Sequence, residues 1–198
     1  MIKLGLTGGI ATGKSTVSGI LRELGAVVLD ADALVHELLE PEMSLWHLYC
    51  SHFGKDVLLP SGQLDRRRLG EIIFQDSREL AWIKQEVHPL IKAEILKRVA
   101  VFEQKQLSVL VLDIPLLYES GFAKITDIVW VVYAEREVQL QRLQKRNNFS
   151  QEEAKRRINS QIDLQQKCQL ADKVIDNNGT LAETRRQTAF LWRELQGE

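Results

Sequence analysis

The segment TGGIATGKS, Thr7 to Ser15, brings Gly8, Gly13, Lys14 and Ser15 into the phosphate-loop spacing G-x-x-x-x-G-K-[ST]. A polyphosphate needs several donors converging on it. Glycines let backbone N–H groups turn inward without Cβ obstruction, and a helix N-terminus adds partial positive charge. Gly9, Ile10, Ala11, Thr12 and Thr16 complete the expected cradle. The Lys14 ammonium is expected to reach the β- and γ-phosphates, and the Ser15 hydroxyl to ligate the Mg²⁺ that bridges them. The chemistry in view is therefore that of a nucleoside triphosphate.

Further along, DAD at Asp30 to Asp32 ends an apolar run and offers two carboxylates. Asp30 could serve as a helix N-cap. Asp32 is the better chemical candidate, placed to orient an acceptor hydroxyl and take its proton. VLVLD, Val109 to Asp113, has the form of a buried strand ending in an acid that holds Mg²⁺ directly or through water, although many buried strands end in Asp as a turn or cap residue. The next residues, Ile114 to Glu119, fit either an acceptor-pocket wall or core packing. Seven basic residues fall between Arg136 and Arg157 against three acids, and Arg142 and Arg146 stand four apart on one helix face. Both can stabilise charge on a transferring phosphoryl group. For Lys155, Arg156 and Arg157 a solvated helix face is an equal reading. His88, just before Pro89, has a weak case from chemistry alone.

Positioning these groups requires a sheet. IKLGL (2 to 6), VVLD (27 to 30), VLVLD (109 to 113), IVWVVYA (128 to 134) and VID (174 to 176) read as five strands. Their β-branched, weakly alternating content fits strands covered on both faces, and helical segments lie between them. A five-stranded parallel sheet flanked by helices follows, with ligands at the strands' C-terminal ends. Residues 32 to 108 carry no convincing strand but show helical patterns at 45 to 53, 66 to 74 and 79 to 102. Pro89 disfavours αR geometry at His88, so a break or kink is expected there. A second helical excursion spans 135 to 172, and Leu181 to Leu195 is amphipathic and expected to pack on the sheet.

Composition bounds the function. With 198 residues, one compact unit is expected. A net charge of -1 gives no general case for nucleic acid or membrane binding, so phosphate-binding charge must be local. Cys50 and Cys168 show no metal spacing and read as reduced, packed thiols. The chain enters its first strand at once, so no signal peptide is expected. With no apolar run of spanning length, a cytoplasmic location is expected.

TGGIATGKS, DAD, HPLI (88 to 91), DIPLLYE (113 to 119), QLQRLQKR (139 to 146) and ADKVIDNNG (171 to 179) together resemble the dephospho-CoA kinase family. The resemblance spans nearly the whole chain. It implies ATP-dependent phosphorylation of the ribose 3′-hydroxyl of dephospho-CoA, the last step of coenzyme A synthesis. The implied fold is the P-loop nucleoside-monophosphate-kinase type, with a core at about 1–32, 106–134 and 171–198, a CoA-side insert at 33–105 and a lid at 135–170. Carried over residue by residue, the resemblance places the phosphate loop on Gly8 to Thr16, the catalytic aspartate on Asp32 and the lid arginine on Arg142, with Arg146 beside it. It also implies acceptor contacts for His88, Pro115, Leu116, Tyr118 and Glu119, and sets the turn holding Asn177 beside the adenine. Ala11-Thr12 replaces the Gly-Ser of many relatives; both pairs are small, which leaves phosphate approach open. Two other readings compete: a kinase of another nucleoside or nucleotide, and a nucleotide-dependent switch. The chain has no guanine-reading N-K-x-D element, and its DAD and basic lid suit transfer better.

Overall fold

The computed structural model describes residues 1–105 and 107–197, apart from the Phe74 side chain. Its strands are β1 Ile2–Gly8, β2 Val27–Asp30, β3 Val109–Asp113, β4 Ile128–Tyr133 and β5 Lys173–Asp176. In chain order the helices are α1 Lys14–Glu23, α2 Ala31–Leu38, α3 Ser44–Phe53, α4 Arg66–Gln75, α5 Ser77–Trp82, α6 His88–Glu103, α7 Arg136–Asn147, α8 Gln151–Asn159, α9 Leu164–Gln169 and α10 Leu181–Gln196. Residues 1–30 and 107–197 make one compact unit, and Ala31–Lys105 a second.

In the first unit the strands run in the order β2-β3-β1-β4-β5, every neighbouring pair parallel. All of β3 is buried, as its unbroken apolar run requires of a strand covered on both faces. Leu4, Leu6, Val109, Val111, Trp130, Val132 and Ile175 pack from the sheet against Val17 and Leu21 of α1 and Trp192 of α10. On the opposite face Gly5 admits Leu117, since a Cβ there would meet Leu117 Cδ2 at 2.9 Å. The expected amphipathic C-terminal segment is α10, which starts in a capping box: Thr180 Oγ1 accepts from the Glu183 N–H, and Glu183 reaches back to the Thr180 N–H. The register sets Asp113 opposite both Leu6 and Asp30, so the carboxylate at the end of β3 lies beside the strand that feeds the phosphate loop.

The second unit is helical, with one isolated antiparallel bridge between Leu58 and Leu64. Val57, Leu64 and Leu69 form one buried cluster in it, with Trp46, Tyr49 and Phe53 against them. The chain around Pro89 departs from expectation. His88 is αR, with φ -62° and ψ -42°, and Pro89 occupies the first turn of α6, where its missing N–H costs least. The irregularity falls one turn earlier, in a π-helical stretch Ile83–Val87 that widens the helix where Pro89 cannot donate to the preceding turn.

Among the described residues no helix is long and apolar enough to cross a membrane. Cys50 and Cys168 are both free thiols.

Candidate active site

The loop between β1 and α1 is shaped by what cannot fit there. A Cβ on Gly8 would lie 2.6 Å from Thr12 Oγ1 and 2.9 Å from the Val132 carbonyl oxygen. Gly13 sits at φ 93°, and a Cβ on it would fall 1.9 Å from Asn177 Nδ2. Ala11 also takes a left-handed conformation, φ 60°. Thr12 is fully buried and closes the loop by donating from Oγ1 to the Gly9 carbonyl at 2.9 Å. Ser15 stands exposed in the first turn of α1. Close packing against Thr12, Val132 and Asn177 thus requires glycine at both positions, and the loop leads into the N-terminus of α1, a place suited to an anion.

Lys14 Nζ donates to Asp113 Oδ1. Asp113 is 1% exposed while the Lys14 side chain keeps 16%, so the lysine is the partner with a path outward. The acid at the end of β3 is thereby placed at the loop, which the strand pattern alone left open.

Arg142 and Arg146 part company. From α7, Arg142 donates to the Thr12 carbonyl at 3.2 Å and the Asn177 carbonyl at 2.8 Å, with Ala11 O at 3.5 Å. Arg146 is exposed and donates to Asn147 Oδ1 at 2.8 Å. Four-residue spacing put both on one helix face, but only Arg142 reaches the loop. Asn177 is buried, its Nδ2 donating to Thr12 O at 2.7 Å and its Oδ1 accepting from Thr184 Oγ1 at 2.7 Å. Its amide thus ties the loop at Thr12 to the start of α10.

The rim after β3 is mostly committed internally. Pro115 O accepts from Thr7 Oγ1 at 2.9 Å, and Glu119 pairs with Lys167 Nζ at 2.7 Å. Among the described residues the buried Tyr118 hydroxyl has no hydrogen-bond partner; its pKa is raised by burial and, less, by Asp172 and Cys168, so it stays neutral. Leu116 presents an exposed side chain. In the second unit, Asp32 is exposed in the first turn of α2, two residues past β2, and His88 is exposed at the start of α6.

Three loop contacts escaped the sequence reading. Gln161 Oε1 accepts from the Ile10 N–H at 2.8 Å, Gln139 is buried against Gly9, and Lys167, fully buried, lies 3.4 Å from the carbonyls of Gly8 and Pro115. A cavity of about 630 Å³ has Gly9 on one side and the α8–α9 link, Gln161 to Leu164, on another. Among the described residues no cluster of three or more His, Cys, Asp or Glu side chains could hold a metal. The hydroxyl of Ser15 and the carboxylate of Asp113 are hard oxygen donors suited to Mg²⁺, which takes one or two protein ligands with substrate phosphates rather than a full protein cage.

The description of the dephospho-CoA kinase family matches residues 2–183. The dephospho-CoA kinase of Symbiobacterium thermophilum is 45% identical over 98% of this chain and 81% of its own length. Two solved structures are also similar. One is TT1252 from Thermus thermophilus, with TM-score 0.80 and 30% identity over 98% of this chain and 97% of that one. The other, a dephospho-CoA kinase from Campylobacter jejuni, has TM-score 0.74 and 31% identity over 98% of each chain.

Proposed function

Because the chain belongs to the dephospho-CoA kinase family, and so is a kinase that phosphorylates dephospho-CoA with ATP in coenzyme A biosynthesis, we propose how its residues divide that work. The single observation that carries the reading is the loop itself: Gly8 and Gly13 where no Cβ fits, Lys14 at its exit, and Arg142 braced on its carbonyls.

ATP is held by the backbone of Gly8 to Thr16, with Lys14 and Arg142 offsetting charge on the γ-phosphoryl group. Ser15 and Asp113 would hold Mg²⁺, which would supply charge neutralisation across the phosphates. Asp32 orients the ribose 3′-hydroxyl and accepts its proton; its exposure just past the C-terminal end of β2 supports this role. Residues 33–105, with His88, form the acceptor side, and 135–170 the lid that excludes water. Leu116 is the best-exposed candidate for an acceptor contact after β3. The reaction runs in the cytoplasm, consistent with two free thiols.

Asp32→Asn tests the division. It should keep ATP affinity and lower kcat by about two to four powers of ten. Near-normal turnover would remove Asp32 from the chemistry.

A further inference from the structure

Lys167 is a cation with no exposed surface, on a helix whose neighbours in sequence are polar. Burial of an ammonium is costly unless it is paired and hydrogen-bonded. Here the charge meets Glu119 at 2.7 Å, with the carbonyls of Gly8 and Pro115 at 3.4 Å each. Glu119 in turn accepts from the Ile162 N–H at 3.3 Å, and the neighbouring Gln161 accepts from the Ile10 N–H at 2.8 Å. One short stretch, Gln161 to Lys167, therefore touches the phosphate loop at its first glycine and at Ile10, and ties both to the segment that follows β3.

We propose that Lys167, with Glu119 as its counter-ion, is a positioning residue for phosphoryl transfer. It sets the start of the phosphate loop and fixes the α8–α9 link against it. Gly8 has no side chain, so its backbone alone holds it, through its register opposite Val132 on β4 and through the carbonyl that faces Lys167. The same link borders the cavity beside Gly9, so its placement also sets the space at the loop. On this assignment Glu119 belongs to the loop's scaffold and not to acceptor recognition. The inference rests on the loop being the ATP site.

The test compares Lys167→Met, Lys167→Arg, Glu119→Gln and the double variant Lys167→Met/Glu119→Gln in the full chain. Readouts are affinity for a fluorescent ATP analogue, KM for ATP and for dephospho-CoA, kcat, and thermal melting, with assays run well below each melting point. Lys167→Met should weaken nucleotide binding and lower kcat, together by about a hundredfold in kcat/KM for ATP. KM for dephospho-CoA should stay within about threefold, because no acceptor contact is removed. Lys167→Arg, which keeps the charge, should recover part of the loss. The double variant should be no worse than Lys167→Met alone, since both act through one pair. Additive losses in the double variant, or a lowered melting point with wild-type kcat/KM for ATP, would overturn the proposal. So would Glu119→Gln raising KM for dephospho-CoA selectively. If Lys167→Met does not fold, Glu119→Gln carries the same kinetic test. Lys14→Ala is the control on the underlying reading: unchanged nucleotide affinity in that variant removes the loop as the ATP site. Loss in Lys14→Ala with wild-type behaviour at Lys167 removes only the positioning role.

Discussion

Lys14 at the exit of the phosphate loop and Asp113 at the end of β3 form an ion pair across 99 residues of chain. The pair ties the C-terminal end of β3 to the first turn of α1. Asp113 is almost fully buried, and Lys14 is the partner with access to solvent.

The pair has a stability signature. Lys14→Met leaves the Asp113 carboxylate uncompensated and should destabilise the fold by about 3 kcal/mol, the low end of the cost of breaking a buried pair because Lys14 is partly exposed. Lys14→Met/Asp113→Asn should recover most of it. Chemical denaturation of the four members of this cycle measures the interaction directly.

Arg142 and Arg146 should separate kinetically. Arg142→Ala removes donors to the Thr12 and Asn177 carbonyls and should lower kcat by about a hundredfold. Arg146→Ala removes an exposed contact to Asn147 and should stay within about threefold of wild type. Equal losses would place both on the phosphoryl group.

Gly13→Ala should be among the worst small substitutions in the chain. It forces an L residue to φ 93° and drives a methyl into Asn177 Nδ2. Nucleotide binding should be lost, with destabilisation of about 1–3 kcal/mol for the backbone conformation alone. Gly19→Ala, in mid-helix with nothing within 4 Å of a Cβ, should instead stabilise by about 0.5–1 kcal/mol. Melting curves of both variants make the comparison.

Glu183 gives a pH prediction. Hydrogen bonds from the Thr180 N–H and then its hydroxyl hold the Glu183 carboxyl below its usual range. A depressed folded-state pKa contributes stability that is present above the unfolded-state value of about 4.3 and lost as pH falls through the lower folded-state value. Glu183→Gln keeps a capping side chain without the titration. The difference in melting temperature between wild type and Glu183→Gln should therefore shrink on acidification through that window and be flat from pH 6 to 8.

Strands and phosphate loop were legible because their signals are local. Short, β-branched apolar runs such as VLVLD favour buried strands, and glycine spacing at Gly8 and Gly13 encodes backbone freedom directly. Pro89 shows where a local rule gave way, since the helix absorbed the proline by a π turn upstream and kept His88 αR. Helical spacing could not separate Arg142 from Arg146, because it fixes a face but not which side chain meets a carbonyl. Lys167 and Gln161 were invisible for a stronger reason. They lie in a polar run that reads as solvated surface, and only the tertiary structure brings Glu119 and the loop backbone to them.

The most direct measurement is ADP release from ATP and Mg²⁺ with dephospho-CoA, with AMP, with adenosine and without acceptor, the product's mass being checked in each case. ADP formed with dephospho-CoA alone, alongside a product heavier by one phosphoryl group and identical to coenzyme A, is the predicted result. ADP formed equally without acceptor, or chiefly with another nucleotide, would contradict it.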